Sequence, residues 1–347
     1  MSGRSITALV NGTVLSMVLV LAGCGSGSGG DSAEFTFKVA DSFPKSHVIA
    51  KNLPVKYMKA VEKASKGRID FEYFPAEQLG KAEDMAEMVK GGVADIAYIA
   101  PQYYSEKMPL GGIAGLPGVY EDSVSGAPAF YELMRGKLYQ EEIKKNKLNP
   151  LLSFVTGAYQ VATAEKKVSS TADMKGLRVR TSGGHMELTA KELNAVPVSL
   201  AAPEMYQAVE RKTVDSLFIS AESMKPYGLD KVVKYCTTNL SLGGFGAYYA
   251  INQDKWAELP EDLQKIMIEE GKKVSLAGGR ALEADKQKQL KAFEKDGMEL
   301  TEVSEAEAAK FDEVSDTVRQ AWVKDMEKRG LPGKDILAEM KKLTSEQ

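Results

Sequence analysis

Glu204-Met205-Tyr206-Gln207-Ala208-Val209, followed by Thr213-Val214-Asp215 and then Ser216-Leu217-Phe218-Ile219-Ser220, decides the fold of this chain. The same sentence has already been written once, as Asp84-Met85-Ala86-Glu87-Met88-Val89, Val93-Ala94-Asp95 and Ile96-Ala97-Tyr98-Ile99-Ala100. Met85/Met205, Val89/Val209, Asp95/Asp215 and Ile99/Ile219 are identical in register. The match also keeps its meaning: an acidic helix start, one apolar helix face, an Asp, then a short apolar strand. A helix-strand unit built twice predicts two similar α/β lobes with a cleft between them, a clamp suited to a small molecule.

The rest of the chain fits that reading. Its 347 residues leave room for two cores, and 44% apolar with 27% charged is ordinary for a folded domain. With 45 basic against 48 acidic side chains, net charge −3, there is no electrostatic footprint for nucleic acid. The start reads as an address: Arg4, the apolar run Val14 to Leu21, then Leu21-Ala22-Gly23-Cys24, which resembles a bacterial lipoprotein box. Residues 1–23 are expected to be a signal peptide and 24–33 a lipidated Cys24 with a flexible Gly/Ser tether, holding the protein outside the cytoplasm as a membrane-anchored lipoprotein. An ordinary signal peptide with a chance Cys is the alternative. Cys236 is then the remaining thiol, so no intramolecular disulfide is expected, and a small buried side chain is its expected role.

Strand and helix patterns alternate twice. Phe35–Ala40, Ile69–Tyr73 and Asp95–Ala100 read as strands, separated by helices over His47–Ala64 and Lys81–Lys90. Leu177–Arg180, Val196–Leu200 and Asp215–Ser220 repeat the order, with helices over Gly184–Leu193 and Glu204–Arg211. Pro197 marks Val196–Leu200 as an edge strand, because proline cannot donate to a ladder. Strands separated by helices call for mainly parallel sheets with helices packed on them. Leu151–Val155, Ala158–Ala162 and Ala247–Ile251 sit beside Thr156-Gly157 and Gly243-Gly244-Phe245-Gly246 and read as crossing strands between lobes. The expected lobes are 34–156 plus about 246–285, and 157–245 plus about 286–347 with the C-terminal helices. A long helix from Pro260 to about Lys295 is placed to brace both.

In parallel sheets ligands bind beyond the carboxyl ends of the strands. That selects Ala40-Asp41-Ser42-Phe43, Pro75-Ala76-Glu77-Gln78, Pro101-Gln102-Tyr103-Tyr104, Arg180-Thr181-Ser182, Ala201-Ala202 and Ser220-Ala221-Glu222. Arg180 is the one cation among them. A guanidinium there takes a carboxylate through two parallel hydrogen bonds, unless it is merely a solvated strand end, the reading given to Arg178. Tyr103-Tyr104 and Tyr248-Tyr249 read equally as ligand wall or as core. Catalytic signals are poor: His47 and His185 lack metal-binding spacing and read as surface or helix-capping residues, and there is no nucleophile elbow or phosphate loop. Asp95 and Asp215 read as acceptors for turn amides. No catalytic residue, metal or cofactor is expected.

Five motifs carry a family resemblance: Pro75-Ala76-Glu77-Gln78-Leu79-Gly80, Val93-Ala94-Asp95-Ile96-Ala97, Asp173-Met174-Lys175-Gly176-Leu177-Arg178-Val179-Arg180, Glu204–Val209 with Val214-Asp215, and Trp256-Ala257-Glu258-Leu259-Pro260. From about residue 35 to 300 the chain resembles the solute-binding subunit of tripartite ATP-independent periplasmic (TRAP) transporters. The resemblance implies a two-lobed periplasmic-binding-protein-like clamp that captures an organic acid and hands it to an ion-gradient-driven membrane permease. It also implies that Arg180 grips the ligand carboxylate. Two positions depart from the sialic-acid and dicarboxylate types: Gln160 stands where some members place a second arginine, and Leu217-Phe218-Ile219 is apolar where an asparagine often contacts ligand. Fewer fixed charges point to a monocarboxylate with an apolar or aromatic body, touched by Phe218, Ile219, Tyr103 and Phe43. Gln160, Gln102, Ser220 and Glu222 complete the expected ligand-binding set around Arg180. Alternatives are a dicarboxylate receptor of the same type and a binding protein that presents ligand to a membrane signalling receptor. A lipid-anchored hydrolase needs a nucleophile-base pair, which the sequence lacks.

Overall fold

The computed structural model describes residues 33–346, so the expected signal peptide and the lipidated Cys24 lie outside the described residues. β1 (Phe35–Ala40) alternates, burying Phe37 and Val39. α1 (Val48–Asn52) and α2 (Pro54–Ala64) follow. Spacing predicts one helix here. Two form because Pro54 bars its predecessor from helical geometry, and Leu53 turns to φ −115°, ψ −88°. β2 (Ile69–Phe74), α3 (Met85–Lys90) and β3 (Ile96–Ile99) complete the first unit. α4 (Ser123–Arg135) has no counterpart in the sequence reading, since Gly126 and Pro128 weaken its helical signal; a capping box at Asp122 starts it. β4 (Leu148–Val155) is buried along its whole length.

The chain then crosses into β5 (Gln160–Thr163), β6 (Arg178–Thr181), α5 (His185–Glu192), β7 (Val196–Ser199), α6 (Met205–Glu210), β8 (Ser216–Ile219), the single turn α7 (Ala221–Met224) and β9 (Tyr235–Thr237). It crosses back into β10 (Gly246–Asn252) and α8 (Gln253–Glu258), and ends with α9 (Glu261–Lys295), β11 (Glu299–Thr301), α10 (Glu305–Lys328) and α11 (Gly333–Ser345).

Two sheets result, in the orders β2-β1-β3-β10-β4 and β11-β9-β5-β8-β6-β7. Each is parallel apart from one strand. β10 runs against β3 and β4, and β5 runs against β8 and β9. β5 is where the chain first enters the second sheet and β10 where it returns to the first; α9 then carries it back to the second sheet at β11. β7, with Pro197, is an edge.

The repeat read in the sequence is a repeat in geometry. Asp95 Oδ2 accepts from Lys38 N (2.8 Å), and Asp215 Oδ2 accepts from Arg178 N (2.9 Å). Each carboxylate therefore ties the entry of one strand to its parallel neighbour, at mid-strand in β1 and at the first residue of β6, so the amides bound are strand amides and not the turn amides expected. The residue that turns the chain between helix and strand has positive φ in both units: Gly92 at 73° and Lys212 at 55°.

α9 packs against α1, α2, α4 and β4 on the first-sheet side and against α7 and β11 on the second. Its buried face combines Leu263, Met267, Val274, Leu282 and Phe293 with a run of small residues, Gly271, Ser275, Gly278 and Gly279. Ser275 Oγ accepts from Ser153 N in β4 (2.9 Å), and Ser123 Oγ of α4 donates to Gly279 O (3.0 Å). A Cβ added to Gly271 would stand 2.0 Å from Leu151 O, so helix and strand approach to backbone distance. α11, at the chain end, lies against α4 beside the first sheet, while α10 touches both α11 and α5.

Glu142 is a buried carboxyl remote from both sheets' exposed ends. It accepts from Leu110 N (2.6 Å) and Gly111 N (2.7 Å), and burial pushes it from 4.5 up to about 7 against those two bonds. A pKa raised in the fold means that the folded state binds more protons than the unfolded one between 4.5 and about 7. This group's contribution is full below 4.5 and is lost as pH rises through about 7. Stability should fall by about 1.4 kcal/mol per pH unit across that window from this group. Urea midpoints across that pH window should show Glu142→Gln to be flatter than wild type; an unchanged slope would remove Glu142 as the cause.

Candidate functional site

β6 ends in Val179-Arg180-Thr181, and strand alternation sets Arg180 opposite Val179. Arg180 is 1% exposed. Its Nε and Nη2 both donate to Leu200 O, at 2.9 and 2.7 Å, just past the end of the neighbouring strand β7. Among the described residues no carboxylate stands within 4 Å of this guanidinium, whereas Arg178 two residues earlier pairs with Asp215 at 2.6 Å. A guanidinium has five N–H donors, and here they meet one carbonyl and the neutral phenols of Tyr103 and Tyr159, with no carboxylate among them. A full charge taken out of water with so little compensation is expensive, and a bound anion is the natural remedy.

Arg180 forms one wall of a small, nearly closed cavity of about 20 Å³ between the sheets. From the first-sheet side come Phe43 beyond β1, Ile49 of α1, Tyr98 of β3 and Tyr103 beyond it. Ala202, Met205, Ile219, Ser223 and Tyr227 face them from the second. The crossing segments supply Thr156, Tyr159 and Phe245. Six aromatic rings thus surround one cation, and the described lining includes no Lys, Asp or Glu.

The rings are held by their own network. Phe43 stands edge-on to Tyr98 (centroids 5.0 Å) and to Phe154 (5.9 Å). Tyr103 packs near Phe245 (5.7 Å), and its hydroxyl accepts from Ala202 N at 3.1 Å, linking the two sides of the cavity. Burial pushes the phenols of Tyr103 and Tyr159 up, and the positive charge of Arg180 opposes that push at both. Both hydroxyls sit within the field of the guanidinium and hydrogen-bond to it. Behind Phe43, Asp41 is fully buried and accepts from Phe43 N (3.0 Å), Tyr73 Oη (2.6 Å) and Tyr249 Oη (2.9 Å). Burial raises its pKa to about 6 against these three bonds. Asp41 fixes the turn that presents Phe43.

Of the nine residues expected to bind ligand, Arg180, Tyr103, Phe43 and Ile219 meet at this cavity. The other five do not line it. Gln160 spends its amide on β9 and the following loop: Nε2 donates to Leu240 O (2.5 Å), and Oε1 accepts from Leu240 N and Thr237 Oγ1, both at 3.0 Å. Phe218 lies on the opposite face of β8 from Ile219 and is buried in the core. Gln102 brackets Gly246, accepting from its N–H (3.2 Å) and donating to its carbonyl (3.0 Å). Ser220 pairs with Ser223 Oγ (3.2 Å). Glu222 accepts from Gly157 N (2.8 Å) at the first crossing, and burial raises its pKa. These side chains carry structural hydrogen bonds or core packing one layer out. Of the two histidines read as surface or helix-capping, His47 is the fully buried N-cap of α1, and His185 is half-buried, its ring packed over Gly112 and Gly115.

Sequence reading missed Tyr98, Tyr159, Phe245, Tyr227 and Met205. Tyr159 and Phe245 lie inside the glycine-flanked crossings that were singled out for motion, so the signal for them was present. Tyr227 had none, since the short turn Lys225–Tyr227 carries no strand-end pattern.

A family model described as bacterial extracellular solute-binding protein, family 7 (DctP), matches residues 39–325. The chain is 26% identical over 300 residues to a solute-binding protein of Albidiferax ferrireducens, covering 82% of each. It is 27% identical over 323 residues to the C4-dicarboxylate-binding periplasmic protein DctP of Rhodobacter capsulatus, covering 87% of this chain and 90% of that one. Among solved structures, a TRAP solute-binding protein from Rhodoferax ferrireducens with copurified benzoate superposes with a TM-score of 0.83 at 25% identity, over 90% of this chain and 98% of that one. A Bordetella bronchiseptica TRAP protein with bound mandelate shares the fold, with a TM-score of 0.81 at 22% identity over 90% and 99% of the two chains. The chain belongs to family 7 of the bacterial extracellular solute-binding proteins, the solute receptors of TRAP transporters.

Proposed function

We propose that this receptor captures a monocarboxylate with an aromatic or apolar body and delivers it to a TRAP permease. The observation that carries the reading is a single buried guanidinium without a carboxylate partner, facing a cavity walled by six aromatic rings. The carboxylate pairs with Arg180 in charge-assisted bonds, and the rings desolvate the remainder. A second carboxylate would be buried with no second cation in the lining, at a cost of several kcal/mol. Benzoate in the Rhodoferax ferrireducens relative fits this reading. The C4-dicarboxylate named for the Rhodobacter capsulatus relative favours the alternative, which the charge count of the lining disfavours.

Capture in this reading is a closure about the two crossings, 156–159 and 238–245. One moving lobe comprises 34–156 with about 246–285, and the other is built on 157–245. α11, which lies on α4, travels with the first. A lipid anchor at Cys24 keeps the receptor beside its permease.

Calorimetry on receptor stripped of copurified acid tests the ligand class. Benzoate and phenylacetate should bind at least about 100-fold more tightly than succinate and malate, the discrimination expected of one unpaired buried charge. Tight succinate or malate binding with the aromatic acids ignored would overturn the proposal.

A further inference from the structure

Tyr227 lines the ligand cavity, yet its hydroxyl is shut away from solvent and hydrogen-bonded to nothing among the described residues. Buried polar groups are nearly always paired, and those that are not call for an explanation. Two other tyrosines, Tyr57 and Tyr120, also have unpaired hydroxyls, but neither lines this cavity. Of these three, Tyr227 is the one placed to offer its spare hydrogen bond to whatever the cavity holds.

A second orphan stands directly behind it. His47 is 0% exposed, and its Nδ1 accepts from Ile49 N at 3.1 Å. The neutral imidazole must then carry its proton on Nε2, and that N–H has no partner. Burial holds the ring neutral, with its pKa pushed down to about 3 by desolvation and, secondarily, by Lys51. The imidazole lies edge-on to the Tyr227 ring, with centroids 5.1 Å apart, and 4.6 Å from the ring of Phe43, another wall residue. Two unpaired polar groups thus share one side of an otherwise aromatic enclosure. The hydroxyls of Tyr103 and Tyr159 are hydrogen-bonded to Arg180, whereas Tyr227 feels its charge without such a bond, so the carboxylate end is furnished by the first two.

Resting on the monocarboxylate reading above, we propose that Tyr227, backed by His47, is a specificity residue whose hydroxyl pairs with an oxygen carried on the ligand's apolar body. The preferred ligands are aromatic monocarboxylates with a hydroxyl or oxo substituent, rather than the bare acids. A phenol can donate to a keto oxygen and can donate to or accept from a hydroxyl, so it serves both substituents.

The test is calorimetry with benzoate, its three monohydroxy isomers, phenylacetate, mandelate and phenylglyoxylate, on wild type and on Tyr227→Phe produced from the full chain. Wild type should bind the best substituted acid at least about tenfold more tightly than its unsubstituted parent, the size of one buried hydrogen bond. In Tyr227→Phe that ratio should shrink to within about threefold, and a circular dichroism melt of the unliganded variant certifies the fold. A ratio unchanged by the substitution, or a wild type that prefers the bare acids, overturns the inference and leaves the monocarboxylate reading intact. If Tyr227→Phe weakens parent and substituted acids alike, Tyr227 serves the carboxylate and the inference is equally overturned. Binding of succinate in place of every aromatic acid would instead remove both readings.

Discussion

Arg180→Ala should lower affinity for an aromatic monocarboxylate by roughly 10²–10³-fold, the equivalent of about 3–5 kcal/mol for breaking a buried ion pair. The free protein should not suffer in proportion. In the unliganded fold the guanidinium is nearly inaccessible to water and meets Leu200 O and the phenols of Tyr103 and Tyr159, all of them neutral, so its charge has no counter-charge. Removing that charge should leave the melting temperature of the free protein unchanged or higher, while the ligand-induced rise disappears. Opposite signs for stability and binding mark a residue kept for capture. A scan of unliganded and liganded protein reads both quantities at once, because ligand stabilisation follows RT ln(1 + [L]/Kd). A variant that loses several degrees without ligand, and still binds, would make Arg180 an architectural residue and sink the proposed mechanism.

Gly271→Val should produce the largest loss of stability, about 3 kcal/mol or more, through overpacking that the surroundings cannot relieve. The added Cβ would meet the backbone of Leu151 in β4, 2.0 Å from its oxygen and 3.0 Å from its carbon. A flexible side chain could swing away, but a carbonyl inside a fully buried strand cannot without disturbing the whole first sheet. For a protein of this size the loss corresponds to roughly 6–12 °C in melting temperature. Gly297, where nothing lies within 4 Å of an added Cβ but φ is 93°, provides a contrast: its penalty comes from backbone strain alone. Circular dichroism melts of both variants separate close packing from strain. A Gly271→Val protein as stable as wild type would mean that α9 stands further from β4 than described.

Much of this architecture was legible because the deciding residues obey local rules. Asp95 and Asp215 occupy equivalent places and make equivalent bonds, as a duplicated helix-strand unit requires. Pro197 sent its strand to a sheet edge, and the glycine-flanked segments did mark the passages between sheets. Arg180 could be selected because a strand-end cation is rare in a parallel sheet. Other parts depended on information that no local pattern holds. Gln160, Gln102 and Glu222 have the polarity of ligand contacts, and only the tertiary fold reveals that Leu240, Gly246 and Gly157 had already engaged them. Phe218 and Ile219 were both assigned to the wall, although successive strand residues face opposite ways and one had to be core. The glycines and serine by which α9 approaches β4 and α4 carry no apolar signal, so that close contact was not legible. Tyr227 reached the cavity from a turn without periodicity.

The first sheet is completed by β10, a strand that arrives only after the whole segment 156–245 has been laid out as another sheet. During synthesis, β3 and β4 must therefore wait with open edges, and no contiguous half of the nascent chain can finish folding by itself. Such non-local closure slows folding and exposes sticky intermediates. Truncation before Gly246 should yield an aggregating fragment rather than a usable half-receptor, which bears on any attempt to graft this binding cavity onto a smaller protein.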